Sequence, residues 1–423
     1  MKPKELSVAR SWPTTLLVAV LTLASNALAA DLSEQVLYSF RGGADGINPT
    51  ALIADKAGNL YGAALWGGAG NCPQHACGIV FQLTPSRSGG SWSETVLYRF
   101  RGGKDGQWPS SLIVDQAGNL YGTTVNGGSS KCRFGCGVVF QLTPPTKSDH
   151  AWTETVLYRF TGGKDGFTPL GLVLGNEGGL YGTTFNGGSP NCQTECGTVF
   201  RLTRRISRGD WKETVLYKFS GGNDGDLPNG GLVFDKKGNL YGTTRFGGQI
   251  GWGTVFKLAP HRGAWTETVL YNFTGGSDDG DPNGNLIFDL AGKLYGTTPG
   301  VPGTDGTVFQ LTPPATRGGT WTETTIYHFT GNGARPEAGL IIGKKGNFYG
   351  TTNVGGNGDG SVFKLAPPLT RGGHWTETVL HSFTGRDGKW PDTSLIFGRG
   401  GALYGITPMG GRWHQGVVFT LVR

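Results

Sequence analysis

Short runs of alternating apolar and polar residues recur along the chain, separated by clusters of glycine, proline, asparagine and aspartate. One stretch shows the unit. Ser111-Leu-Ile-Val-Asp115 is a short apolar strand, closed by the tight turn Gln116-Ala-Gly118. Asn119-Leu-Tyr-Gly-Thr-Thr124 is a second strand, and a loop runs from Asn126 to Cys136. Gly137-Val-Val-Phe-Gln-Leu-Thr143 is a third, with Val138, Phe140 and Leu142 expected on one face and Val139, Gln141 and Thr143 on the other. Trp152-Thr-Glu-Thr-Val-Leu-Tyr-Arg-Phe160 is a fourth. Runs of this length and period, bounded by turn residues, predict strands.

The unit repeats. Its Leu/Phe-Tyr-Gly tripeptide returns at Tyr61, Tyr121, Tyr181, Tyr241, Tyr295, Tyr349 and Tyr404, at spacings of 60, 60, 60, 54, 54 and 55 residues. Four antiparallel strands per repeat make a propeller blade, so the fold class is all-β, a seven-bladed β-propeller. With the strands lettered A to D in the order above, the repeating region begins on a lone D strand, Glu34 to Phe40, and ends on a lone C strand, Val417 to Leu421. The first strand therefore completes the last blade and removes an open edge. A proline precedes every A strand: Pro49, Pro109, Pro169, Pro228, Pro282, Pro336 and Pro391. It suits a strand entrance, where φ is fixed and no donor is needed. The glycine of each Tyr-Gly pair is expected to mark close backbone approach where blades crowd the axis.

Composition narrows the class. The chain holds 76 glycines and 22 prolines among 423 residues, but also 12 Trp, 13 Tyr and 22 Phe, which disordered chains lack. Residues 1–29 read as a signal peptide: Lys2, Lys4 and Arg10, then the apolar run Thr15 to Ala24, then Ala27-Leu-Ala29. Residues 30–423 are then a single propeller domain, expected to be secreted, periplasmic or extracellular, without a membrane span. Loss of three bases and one acid takes the net charge from +7 to +5. No basic cluster suggests nucleic acid, and a monomer is expected.

Glu-Thr-Val-Leu-Tyr, Gly-Gly-x-Asp-Gly, Gly-Asn-Leu-Tyr-Gly-Thr-Thr and Gly-Thr-Val-Phe-x-Leu, in tandem over residues 34–421, resemble the GloVer tandem-repeat family of exported bacterial proteins. The resemblance implies export and a repeat fold, and transfers no activity. Relatives often carry a C-terminal surface-anchoring segment. Here the sequence ends at Arg423 in a predicted strand, so release is the expectation.

Candidate chemistry is sparse. Cys72/Cys77, Cys132/Cys136 and Cys192/Cys196 occupy the same B–C loop in repeats one to three, and export with close pairing predicts three disulfides. Asp45, Asp105, Asp165, Asp224, Asp278 or Asp279, and Asp387 sit singly in the D–A loops and read as Asx-type turn residues. The sixth join lacks an acid. Asp278, Asp279 and Asp281 form the one loop with enough carboxylates to suggest a cation. No cofactor is expected, and the seven histidines form no nucleophile–base pattern. Six tryptophans open D strands and read as packing. Trp66, Trp108, Trp390 and Trp413, with Phe167 in the place of Trp108 one repeat on, break the pattern and fall in B–C and D–A loops. Those loops share a face, and blades seven, one and two are neighbours in a closed ring. This aromatic arc predicts a non-catalytic recognition or scaffolding surface for extracellular polysaccharide or protein. The competing expectation is a carbohydrate-active or lactone-cleaving propeller enzyme, favoured if two or three carboxylates face one another at the centre.

Overall fold

In the computed structural model, residues 33–422 are described, apart from 69–76, 87–91, 147–150, 190–195, 206, 208, 317 and 332–334. The expected signal segment, residues 1–29, lies outside them. The repeats fold as seven antiparallel sheets arranged as a seven-bladed β-propeller. Blade one runs Ile47–Ala54 (A), Leu60–Trp66 (B), Ile79–Pro85 (C) and Trp92–Arg99 (D). Blade seven takes Ile396–Phe397, Leu403–Thr407 and Val417–Val422 from the end of the chain and Ser33–Ser39 from its beginning. The closing register sets Glu34 opposite Leu421 and Ser39 opposite Val417.

The core lies between blades. Val138, Phe140 and Leu142 pack in one cluster with blade one's Tyr61 and Val80, while Val139 packs in the next cluster with Leu180 and Phe200 of blade three. Both faces of strand C are therefore covered, which its in–out alternation alone did not indicate. A phenylalanine at the end of each D strand meets the strand C phenylalanine of the next blade edge to face, as in Phe40–Phe81 and Phe383–Phe419, both with centroids 5.1 Å apart. The D-strand tryptophans reach the other way. Trp152 meets Tyr61 and Trp92 meets Tyr404, so this contact also crosses the closing seam. Edge-to-face pairs add about 0.5–1.5 kcal/mol each beyond area burial.

The Tyr-Gly glycines do mark close approach, as expected, but to a phenyl ring and a strand A carbonyl of their own blade. Gly122 pairs with Phe140 across the sheet of its own blade. A Cβ there would lie 2.4 Å from Phe140 Cζ and 2.5 Å from the Ser111 carbonyl oxygen. The glycine leaves room for a phenyl ring within the blade; crowding between blades is not its cause. Gly122→Ala should destabilise the protein by about 1–3 kcal/mol, the usual range for overpacking, read as a lower urea midpoint with an unchanged m-value.

A polar girdle ties the blades together. Tyr98 donates its hydroxyl proton to Asp105 at 3.0 Å, and the Arg101 N–H donates to the same oxygen at 3.0 Å. Asp105 is thus a turn residue, as expected, and also an anchor for the D-strand tyrosine. Its charge in turn bears on Glu154, in strand D of the next blade. The same set recurs as Tyr38–Asp45–Glu94, Tyr158–Asp165–Glu213 and Tyr217–Asp224–Glu267. At the sixth join, which has no loop acid, Tyr327 donates directly to Glu377 at 2.8 Å.

The A strands line the axis and are of two kinds. Blades one to three have two residues between the proline and the strand's buried leucine (Leu52, Leu112, Leu172); blades four to seven have three. The extra residue breaks the inner strand. In blade four only Asp226–Pro228 and Val233–Phe234 pair with strand B, and blades five to seven keep the second piece. At each entrance the residue before the proline is left-handed: Asn48, Trp108, Thr168, Leu227, Asp281, Arg335 and Trp390 have φ of 54–66°. Each donates its backbone N–H to the preceding blade's B–C loop, as in Trp108 to the Cys77 carbonyl at 2.8 Å and Asn48 to the Gln415 carbonyl at 3.0 Å.

Candidate functional site

These backbone bonds define one loop face, because D–A and B–C loops also bond within a blade. Gly68 donates to the Gly43 carbonyl at 2.7 Å, and Gly411 to the Gly385 carbonyl at 2.9 Å. The centre of this face is the axial mouth, and its most polar side chains come from blades four to seven. The residue after each proline is Thr50, Ser110 or Leu170 in the first three blades, but Asn229, Asn283, Glu337 or Asp392 in the last four.

Arg245, at the end of strand B in blade four, forms a two-pronged pair with Asp281 of blade five at 2.6 and 2.9 Å. Arg335 lies 3.5 Å from Glu337. Asn229 and Asn283 hydrogen-bond each other across adjacent blades. Crowding by the surrounding blades, and then the charge of Glu337, raises the Asp392 carboxyl above its ordinary value, although the side chain is exposed to solvent. Burial also raises Glu337, against the pull of Arg335 and Arg245, with Asp281 adding to the rise. Three carboxyls thus belong to one electrostatic group with two guanidiniums. A carboxyl raised in this way keeps its proton to a higher pH than an ordinary one, which is the direction a general acid needs. This group was missed in the sequence. Its signal was the extra residue in repeats four to seven and the amide or acid directly after each proline.

The aromatic candidates separate. Trp66, Trp390 and Trp413 are exposed, at 36%, 40% and 45%. Lys389 sits over the Trp390 ring at 4.5 Å and also pairs with Asp359 at 2.9 Å. Arg412 sits over the Trp413 ring at 5.0 Å. Trp66 opposes Ile47, next to the Asn48 that bonds Gln415, so the blade-one and blade-seven loops are stitched together there. Trp108 is half-buried. Phe167 is likewise half-buried and packs against the cluster of Phe160 and Leu172.

Cys132 and Cys136 form a disulfide, which lies against Gly162 of the next blade's D–A loop. Cys77 and Cys196 are also disulfide-bonded; Cys72 and Cys192 lie outside the described residues. In the acidic loop of blade five, Asp278 accepts from Tyr271 at 2.7 Å and from the Thr274 N–H at 2.9 Å. Asp281 faces Arg245, and Asp279 is buried. The three carboxylates of this loop are therefore not gathered around one point.

Among the described residues no helix is long and apolar enough to cross a membrane. Solved structures share the fold. A catalytically inactive variant of virginiamycin B lyase from Staphylococcus aureus, with quinupristin, is 14% identical, with a TM-score of 0.54 over 93% of this chain and 100% of its own. A protein named as a 6-phosphogluconolactonase from Bacteroides uniformis is 14% identical, with a TM-score of 0.50 over 78% of this chain and 84% of its own. At such identity the likeness concerns the fold alone. No curated protein matches the sequence. The Gloeobacter/Verrucomicrobia repeat matches residues 26–205, 129–332 and 300–423, and the chain belongs to that family.

Proposed function

We propose that the protein is an exported recognition propeller that binds an extracellular polysaccharide on the face carrying its D–A and B–C loops. The observation that carries this reading is the exposure of Trp66, Trp390 and Trp413 on that one face. Six other tryptophans open D strands at the perimeter, where they are partly covered. A flat indole on a rigid sheet stacks on a sugar ring at little entropic cost. Lys389 and Arg412 beside two of the indoles suit acidic or hydroxyl-rich glycans. Three separated platforms suit a chain better than a single sugar.

Trp390→Ala and Trp413→Ala should each weaken glycan binding by about 30-fold, the effect of losing roughly 2 kcal/mol at an interface anchor. The melting temperature should stay within a degree or two. A glycan array followed by titration calorimetry reads this. Binding that survives both substitutions sinks the proposal.

A second reading rests on Glu337 and Asp392. Their carboxyls influence each other and both are raised above the ordinary range, and such a pair is what a glycan- or lactone-cleaving enzyme would use. Product analysis of the bound glycans separates the two: cleavage that disappears in Asp392→Asn, with binding intact, selects the enzyme.

A further inference from the structure

The perimeter girdle places a tyrosine at six joins, bound to a loop aspartate at five of them and directly to Glu377 at the sixth, and departs from this chemically at the last. Tyr38, Tyr98, Tyr158, Tyr217, Tyr271 and Tyr327 hold the ring position of strand D in six joins. The seventh, where strand D of blade six meets blade seven, has His381 instead. Its Nε2 lies 2.9 Å from Asp387 Oδ2. The other oxygen of Asp387 accepts from the N–H and the hydroxyl of Thr384, at 2.8 and 3.0 Å. Phe383 packs edge-on against the imidazole at 4.8 Å. The ring and the carboxylate are thus both fixed from behind. The third group is Glu34, carried by the N-terminal strand; its Oε1 has no hydrogen-bond partner, as is also true of Glu94, Glu154, Glu213, Glu267 and Glu377 at other joins. One ligand atom from each of Glu34, His381 and Asp387 lies within 4.8 Å of the other two, and among the described residues no other set of three or more metal-ligating side chains does so.

We propose that Glu34, His381 and Asp387 bind a divalent transition-metal ion, zinc above others, which clamps the N-terminal strand to the body of the ring. The donor set is one imidazole and two carboxylates, which favours zinc or a similar ion over calcium or magnesium, whose sites are built from oxygen alone. Two carboxylates neutralise the ion's charge, and a water completes four ligands. Zinc holds such atoms at about 2.0–2.1 Å, so they stand about 3.3 Å apart around it. The His381–Asp387 pair then opens by a few tenths of an ångström as the ion replaces the hydrogen bond. A tyrosine in the same place keeps its phenolic proton at neutral pH and donates it to the loop acid, so the other joins close with a hydrogen bond. His381 and Asp387 are only about one-fifth exposed, which limits competition from water while leaving an approach from the perimeter.

The test uses the purified full chain, stripped with a chelator and titrated with zinc chloride by calorimetry and by thermal melting. The wild type should bind one zinc ion at the seam and melt at a higher temperature with it. At zinc a hundred times the dissociation constant, the unfolding equilibrium constant should fall about a hundred-fold. His381→Tyr installs the side chain that six joins already carry, so it should fold, keep the zinc-free melting temperature, and lose both the seam site and the rise. Glu34→Gln should weaken binding at least ten-fold. Cobalt in place of zinc should give the wild type visible ligand-field bands from a nitrogen–oxygen site, a readout independent of how any variant folds. Failure of the wild type to bind zinc at millimolar concentration overturns the proposal. So does an equal zinc-dependent rise in His381→Tyr, or an equal rise with magnesium in the wild type.

Discussion

A chain lacking residues 31–40 is expected not to fold to a stable ring at room temperature. Ser33–Ser39 is the outer strand of blade seven, and its loss exposes the whole edge of Val417–Val422. It also removes Phe40, fully buried in the cluster with Leu52, Leu60 and Phe81 of blade one, and Leu37 beside it. Truncating a buried phenylalanine costs about 3–5 kcal/mol and a buried leucine about 2–5. Together these reach the 5–15 kcal/mol that holds a typical domain folded, before the strand's own hydrogen bonds are counted. Phe40→Ala alone should lower stability by about 4 kcal/mol, near the middle of that range. Circular dichroism melting and size-exclusion chromatography read both variants. A peptide of residues 31–40 added in trans should restore the melting transition, since an extended peptide can complete an open sheet edge. A deletion variant that melts like the parent chain would show that the ring does not depend on this closure.

What the sequence made legible and what it hid divide along the repeat. Features shared by all or nearly all of the seven units could be read directly: the four strands, the proline before strand A, the D-strand tryptophan of six units, and the unpaired first and last strands that must meet. The Cys132–Cys136 bridge followed from local spacing. The function-bearing candidates lie in departures from the repeat, and a departure means little until its neighbours in space are known. Arg245 and Asp281 are 36 residues apart, and Glu34 and His381 stand at opposite ends of the chain. His381 was visible as one of seven scattered histidines; only the girdle shows that it replaces a tyrosine between two acids. The glycine of the Tyr-Gly pair was conspicuous, but its reason was not, because a phenyl ring across the sheet and a crowded axis leave the same trace in one sequence. Phe167 stands in the place of Trp108, and both are half-buried, so a loop position fixes a face of the molecule and not how far a side chain is exposed.

The girdle has a second consequence, in its acids. Melting should occur about 4 °C lower at pH 8 than at pH 5. Burial strips hydration from the carboxyls of Glu94, Glu154, Glu213 and Glu267, and the loop aspartate at each join repels their charge, so each is pushed from the ordinary 4.5 up to about 7. The folded protein therefore keeps protons that the unfolded chain releases above about pH 4.5. Stability falls with pH wherever the folded state binds more protons. The contribution is full below 4.5, declines through the window from 4.5 to 7, and is gone above it. At 1.36 kcal/mol per pH unit each acid would contribute about 3 kcal/mol; hydration and screening of these half-buried groups reduce that to about 1. Four such acids lose most of their roughly 4 kcal/mol between pH 5 and 8, and for a domain of this size that corresponds to about 4 °C. Below about pH 4 the opposite trend sets in. Burial works to raise Asp235 too, but hydrogen bonds from Asn239, Lys237 and Tyr241 bring it below the usual value, and those bonds weaken when it is protonated. Stability should therefore peak near pH 4.5 and decline on both sides. Glu154→Gln removes one titration and keeps the shape, so it should stabilise the protein at pH 8 by about 1 kcal/mol and leave it nearly unchanged at pH 4.5. Thermal melts of both proteins from pH 4 to 9 check this, and a wild-type melting temperature that stays level from pH 5 to 8 would mean that the girdle glutamates are ionised in the folded ring.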